Sequence, residues 1–336
     1  MKSFPLVLLC LIAIAVSAGA IYTSEIMERM PGAAGDVIEV SVAYGWSAGD
    51  ISSEFERLGV VTSSKKLSRQ MVSLGIDRKI RPGTYRIHAG LARDVAKELE
   101  RAVPEANKIQ VLPGALFAEI AAELRRDDAP ELLLDALRSP DNFAWQLRPL
   151  LHGNPAERIV LLAPETYEIL PGGSAARDLV KTASEKWWRL HSADVSAGFT
   201  SEDLSNAGIL ASIIQKEALV DSDRPIIAGV FKNRLGMDMP LQSCATVVHA
   251  WRLRGVKITS VSFEDVKIDS PFNTYEHKGL PPENIGVPSE KSWEAALRPA
   301  ATKMLFFVAK NDGSHVFTQT YEEHLAAQRK IRRGEM

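Results

Sequence analysis

From Ser3 to Ser24 the chain carries no charged residue, and the centre of that run, Pro5 to Tyr22, is overwhelmingly apolar. About 20 residues at 1.5 Å rise match a bilayer core of roughly 30 Å, so residues 1–24 read as a transmembrane anchor with the weakly basic end, Lys2, inside. Small residues at Ser17, Ala18, Gly19 and Ala20 offer a cleavage site and make a signal peptide the competing reading. The apolar run continues past them through Ile21 and Tyr22, which favours the retained anchor. Either way the remainder is exported. Cys10 comes too early, and Leu9 before it is too large, for a lipoprotein attachment site.

The exported remainder has to be held by a packed core. The second and last cysteine is Cys244, so the exported part contains no internal disulfide. With 46% hydrophobic residues in 336, the chain can build about two domains. Lys and Arg number 40 against 42 Asp and Glu, spread along the chain, and a net charge of -2 excludes a basic footprint for nucleic acid. The 7 histidines are scattered, with no His-x-x-x-His or Cys-x-x-Cys spacing that would put metal ligands on one helical face. Neither a metal nor a cofactor is expected.

The fold class read from the pattern is α+β. Residues 25–36 form a polar linker, 37–103 a small α+β module, 104–199 a largely helical intermediate region, and 200–336 a second domain. A motif of short strand, glycine turn and amphipathic helix recurs: Val37 to Ala43 with Gly45, Tyr85 to Ile87 with Gly90, and Ile109 to Leu112 with Gly114. Glycan binding and a structural spacer are both open for the first module. Arg81-Pro82-Gly83-Thr84-Tyr85 is a turn entering a strand. Trp187 and Trp188 are expected to pack on the second domain. There, a helix is predicted from Leu204 to Lys216 and another from Pro225 to Gly236. An irregular Pro/Gly-rich stretch runs from Asp269 to Pro288, then a helix from Ser289 to Leu297. A hairpin of Met304 to Ala309 with His315 to Thr318 precedes a closing helix, Tyr321 to Arg333.

The sharpest chemical signal lies in the first of those helices. Counting i, i+3, i+4 and i+7 from Leu210 gives Ile213, Ile214 and Glu217, so a carboxylate falls on the buried stripe. An apolar surround disfavours its ionised form, raises its pKa, and suits a general acid working near neutral pH. The plain alternative is a helix-end glutamate turned to solvent or paired with Arg224.

Longer motifs make the sequence recognisable. It resembles the YceG-like (MltG) family of endolytic murein transglycosylases in ASIIQKEAL at Ala211 to Leu219, RPIIAGVFKNRL at Arg224 to Leu235 and MPLQS at Met239 to Ser243. The match continues in SPFNTYEHKGLPP at Ser270 to Pro282, IGVPSEKSWEAALRPA at Ile285 to Ala300, and LFFVAKNDGSHVFTQTYEEH at Leu305 to His324. The N-terminal half matches more loosely, through the anchor, a LysM-like module, RPGTYRI and PETY at Pro164 to Tyr167. The resemblance implies a lyase on the periplasmic side of the cytoplasmic membrane that acts on peptidoglycan glycan strands beside cell-wall synthases. It also implies Glu217 as catalytic acid/base, in the second acidic position of a Glu-Lys-Glu signature whose first position is Gln215 here. Ser243-Cys244-Ala245-Thr246 stands where the family reads Thr-Asp-Pro-Thr, and Ile159-Val160 where a glutamate-glycine pair is usual.

One carboxyl suffices for such a reaction where ordinary glycosidases use two. The acid protonates the glycosidic oxygen, and the resulting carboxylate takes the proton of the muramoyl C6 hydroxyl, leaving a 1,6-anhydro end. Candidates to hold the sugars are Ser212, Gln242, Asn273 and Tyr275, with Asn233 and Arg234 behind them; turn capping is the alternative for Gln242 and Asn273, and structural support for Arg234. Three rivals stay open: a hydrolytic muramidase with Asp221, Asp223 or Asp238 as second carboxylate, a cysteine hydrolase using Cys244 with His249, His277 or His315, and a non-catalytic glycan-binding scaffold.

Overall fold

The computed structural model describes residues 35–43, 45–125, 127–151, 153–169, 175–195 and 198–335. The anchor expected at 1–24 and nearly all of the 25–36 linker lie outside them. No helix among the described residues is long and apolar enough to cross a membrane.

The described residues divide into two compact units, one of those up to 107 with 168, 169 and 175, the other of those in 108–167 and from 176 on. In the first, strand β1 (Val37–Val42) pairs antiparallel with β2 (Gly83–His88), in register from Val37 opposite His88 to Val42 opposite Gly83. Between the strands run α1 (Ala48–Arg57) and α2 (Ser64–Ser73), and α3 (Ala92–Arg101) comes after β2. Val40, Phe55, Leu67, Met71, Ile87, Val95 and Leu99 form the core. The strand-turn-helix motif is thus visible at β1–α1 and β2–α3, while α2 stands outside it. At the entry to β2, Gly83 has φ +151° and a Cβ there would meet the Pro104 Cβ at 2.3 Å, so the turn admits only glycine.

The second unit begins with β3 (Asn107–Val111), α4 (Phe117–Glu123) and α5 (Ala129–Arg138). Pro164 introduces a strand, β4 (Glu165–Ile169), where largely helical structure was expected; it pairs with β3, and the alternation of Tyr167 and Ile169 inward explains the choice. Then come α6 (Ala175–His191), α7 (Ser201–Glu217), α8 (Arg224–Gly236), α9 (Cys244–Leu253) and α10 (Glu290–Leu297). The hairpin β5 (Phe306–Ala309) and β6 (His315–Thr318) precedes α11 (Tyr321–Arg332). Helix α7 is central, packed on α10, α9 and α8. Trp187 packs edge-on against Trp293 of α10, ring centroids 4.9 Å apart, as expected for that aromatic. Gly229 lets α8 close on the chain after α10, since a Cβ there would lie 2.4 Å from the Ala300 carbonyl oxygen. Helix α9, like β4, is not predicted by the sequence pattern.

Candidate active site

Helix α7 delivers Glu217 as its last residue. Its start is fixed by a reciprocal cap: the Thr200 hydroxyl accepts the Asp203 N–H at 3.1 Å and the Asp203 carboxylate accepts the Thr200 N–H at 2.8 Å. Ile213 and Ile214 are fully buried and Leu210 nearly so, which turns the stripe they share with Glu217 into the core and leaves Glu217 itself half-buried. Its Oε1 accepts the Ser243 hydroxyl and, at a long 3.5 Å, the Ala245 N–H. Its Oε2 takes no hydrogen bond among the described residues. Arg224 is committed elsewhere, to Asp221 at 2.8 Å and to the Ser292 hydroxyl at 2.8 Å, so the pairing that would have made Glu217 structural is absent.

The partners of Oε1 come from the start of α9. Ser243 is its N-cap, yet the Ser243 side chain caps no N–H of its own helix and is spent on Glu217. The carboxylate therefore sits at the positive end of α9. Burial pushes the Glu217 pKa above the ordinary carboxylate value; the Ser243 hydroxyl, the Ala245 N–H and the nearby His315 pull the other way without cancelling it. Such an acid keeps its proton toward neutral pH while holding a stabilising partner set for the anion it becomes.

The start of α9 is bolted to the 270–275 segment. Gln242, at φ +52°, gives its N–H to the Thr274 carbonyl at 2.9 Å, and Ser243 gives its own to the Thr274 hydroxyl at 3.0 Å. The Thr246 and Thr274 hydroxyls meet at 2.8 Å. Beside them the Tyr275 hydroxyl lies 3.1 Å from the Cys244 thiol, and burial raises both of their pKa values. On the other flank Asp223 holds His315 through its backbone N–H at 2.8 Å and its Nδ1 at 3.0 Å.

Of the residues offered by the sequence, the structure brings Glu217, Gln242 and Tyr275 to this place, with Gln242 exposed and Tyr275 half-buried. The other four make hydrogen bonds inside the protein, the structural alternative open for Asn273 and Arg234. Ser212 is buried, its hydroxyl donating to the Ile209 carbonyl at 2.7 Å and accepting the Ile285 N–H at 3.0 Å. Asn273, fully buried, donates to the Val266 and Ile268 carbonyls at 2.8 and 2.9 Å and turns its Oδ1 to the Tyr275 N–H, the turn-capping alternative. Asn233 donates to the Thr302 and Met304 carbonyls. Arg234 clamps the carbonyls of Leu305, Pro240 and Leu241 at 2.7, 3.1 and 2.9 Å, with Gln242 Oε1 at 3.3 Å.

Ser243, Ala245, Asp223 and His315 were not singled out for the glutamate's surround. A serine directly before CATVVHAWRL is a helix-start signal, and reading it would have produced α9 and both Oε1 donors. The departure at Gln215 has a structural use: its Oε1 accepts the Ser289 N–H at 3.0 Å and the Ser292 hydroxyl at 2.9 Å, tying α7 to the start of α10. Each candidate second carboxylate is engaged, Asp221 by Arg224, Asp223 by His315 and Asp238 by Lys278 at 2.6 Å. The Cys244 thiol bonds Tyr275 and no histidine, and burial drives it away from the thiolate.

Comparison with known proteins agrees with the motifs. A curated relative from Bacillus subtilis, named endolytic murein transglycosylase, is 28% identical over 94% of this chain and 90% of its own length. A protein of the same name from Streptococcus pneumoniae is 36% identical over 118 residues, 34% of this chain and 21% of that protein. The crystal structure of a yceG-like protein from Listeria monocytogenes superposes with a TM-score of 0.53 at 25% identity, covering 87% of this chain and 99% of that one. The family model described as YceG-like matches residues 40–330, and with that span the chain belongs to the YceG-like family.

Proposed function

We propose that the protein is a peptidoglycan lytic transglycosylase, a carbon–oxygen lyase that cuts the MurNAc–GlcNAc β-1,4 bond within glycan strands and leaves 1,6-anhydro-MurNAc ends. The names of its relatives support the activity and substrate. The single observation that carries the mechanism is the division of labour in one carboxyl: Oε1 is fixed by Ser243 and Ala245 while Oε2 takes no partner among the described residues. Protonated Oε2 donates to the glycosidic oxygen as the bond to the muramoyl C1 breaks. The anion left behind keeps the Ser243 hydroxyl and the N-terminus of α9, and then removes the C6 hydroxyl proton as that oxygen closes on C1. No water is consumed and no second carboxyl is needed, in keeping with the prior engagement of Asp221, Asp223 and Asp238. The exposure of Gln242 and the half-buried ring of Tyr275 support a role for both in meeting the sugars.

The uncharged run at 3–24 supports a single-pass anchor in the cytoplasmic membrane, with the catalytic unit outside and strand cutting close to the synthases that extrude glycan. The two-strand, three-helix first unit supports a LysM-like module that grips the strand.

The chain without its first ~30 residues, just beyond a bilayer-spanning length, and its Glu217→Gln variant are incubated with glycan strands, and the new ends are weighed by mass spectrometry. Anhydro ends from the wild type, reduced by about a thousandfold or more in the variant, are expected, since a proton transfer of this kind contributes roughly 10²–10⁴-fold on each use. Reducing ends would make the enzyme a hydrolase, and strand binding without new ends a scaffold.

A further inference from the structure

Beside Glu217 lies a cavity of about 200 Å³ whose wall includes Ala245, the residue that gives its N–H to the glutamate. Val248 and Ile285 make its wall apolar, while Lys216, His249 and Arg252 bring nitrogen to it. Lys216 spends one donor on the Gly114 carbonyl at 2.7 Å, and Arg252 one nitrogen on Glu119 at 2.7 Å. The remaining Lys216 protons and the Arg252 Nε and Nη1 donate to nothing among the described residues. Two cations thus share the Glu119 carboxylate, and Glu283 is the further negative charge that His249 feels. His249, half-buried against Phe272 with ring centroids 4.8 Å apart, has its pKa lowered to about 4, first by desolvation and then by the charges of Arg252 and Lys216, which outweigh the opposing Glu283.

We propose that this cavity receives the anionic peptide stem of the muramoyl sugar, so that the enzyme selects strands that still carry stems. The inference rests on the lytic transglycosylase reading of Glu217. The stem leaves through the lactyl ether of the same sugar ring whose glycosidic bond is cut, and so must be accommodated next to the acid. Short peptides of this kind combine alanyl methyl groups, which suit Val248 and Ile285, with free carboxylates, which suit a forked guanidinium with two unspent nitrogens. A neutral N-acetyl group would gain nothing from the two cations.

The test is binding, so that it stands apart from the end-group assay. The protein is titrated calorimetrically with the GlcNAc–MurNAc disaccharide bearing its peptide and with the same disaccharide lacking it. The stem-bearing ligand is expected to bind about tenfold or more tightly, the worth of one charge-assisted hydrogen-bonded contact. Arg252→Ala should erase most of that ratio and Arg252→Lys only part. In the unmodified protein, NMR titration of His249 should show its pKa rising when the stem-bearing ligand is bound and staying put with the peptide-free one. Equal affinities, absence of binding by both, or a ratio indifferent to Arg252→Ala would overturn the stem site while anhydro ends still upheld the lytic activity. Failure of anhydro ends with the ratio intact would instead remove the reaction and leave the binding site.

Discussion

The two units bury different things. In the first the enclosed side chains are aliphatic and aromatic, and the buried polar residues are Ser52 and Thr84. The second encloses Asp223, Arg224, Arg234, Ser212, Asn273, Thr274 and Ser292, among others. The reason lies in the backbone. Regular elements and short turns in the first unit satisfy their own N–H and C=O groups, whereas the long segment between α9 and α10 runs largely without helix or strand and needs side chains to satisfy it. Asn273 does that work on the Val266 and Ile268 carbonyls of the same segment, and Arg234 does the like on the Pro240 and Leu241 carbonyls ahead of α9 and the Leu305 carbonyl after α10. The comparison teaches how to read a buried polar group here: groups such as Arg234 and Asn273 that serve backbone carbonyls are scaffold, while Glu217 is set apart by a half-buried carboxyl with one oxygen free among the described residues, at the start of a second helix.

The largest effects should come from one deletion in each unit. Phe55→Ala removes a fully buried ring from the first core and is expected to cost about 3–5 kcal/mol in a denaturant melt. Arg234→Met leaves the Leu305, Pro240 and Leu241 carbonyls without their donor and should cost a similar ~3–5 kcal/mol. What separates them is the rate of anhydro-end formation per folded molecule, unchanged for the first and reduced for the second, because the 240–242 segment leads directly into Ser243. A full rate in folded Arg234→Met would break the distinction between scaffold and packing.

These roles were unequally legible in the sequence. Helix α7 and the position of Glu217 could be read from local spacing, as could α8, the β5–β6 hairpin and α11, because period and caps are written within a few residues. Spacing alone offers Asn233, Arg234 and Ser212 to the sugar because part of what each of them meets is remote in sequence, whereas Asn273 meets carbonyls only 5 and 7 residues away, the turn-capping alternative. The carbonyls met by Asn233 and by Arg234's Nε belong to residues 69 to 71 positions away, and the Ser212 hydroxyl meets Ile285 at a separation of 73. No window of sequence contains both partners. Helix α9 has its start signal in Ser243, but the use of that serine's hydroxyl, which caps no N–H of its own helix and bonds Glu217 26 residues away, is not written locally.

A smaller and sharper perturbation is Ser243→Ala. It removes the hydroxyl donor to Oε1, a hydrogen bond to a charged group worth about 1.5–3 kcal/mol, and should slow cleavage by roughly ten- to a hundredfold. Because that hydroxyl caps no helix N–H, any loss of melting temperature should come from its bond to Glu217 and vanish when Ser243→Ala is made in a Glu217→Ala background. The donor favours the ionised form, so its loss should also shift the fall of rate with pH to higher pH, while Ser243→Thr keeps both rate and profile. A loss of about 1 kcal/mol of stability, as for an ordinary N-cap, with the rate intact would show Ser243 to be structural.

The smallest effect is the most direct reading of Glu217's surroundings. Burial holds its pKa above 4.5 in the fold, so between pH 4.5 and the raised value the native state binds more protons than the unfolded chain, and stability falls as pH rises. Below 4.5 both states are protonated and the contribution vanishes; above the folded pKa both are ionised and the penalty is constant. Glu217→Gln keeps an oxygen for the Ser243 hydroxyl and removes the titration. Its melting temperature should match the wild type below pH 4.5, pull ahead as pH climbs, and then hold a fixed lead. A variant less stable than wild type at pH 8 would mean that Ser243, Ala245 and the positive end of α9 outweigh desolvation, leaving Glu217 ionised at rest and in need of substrate to recover its proton.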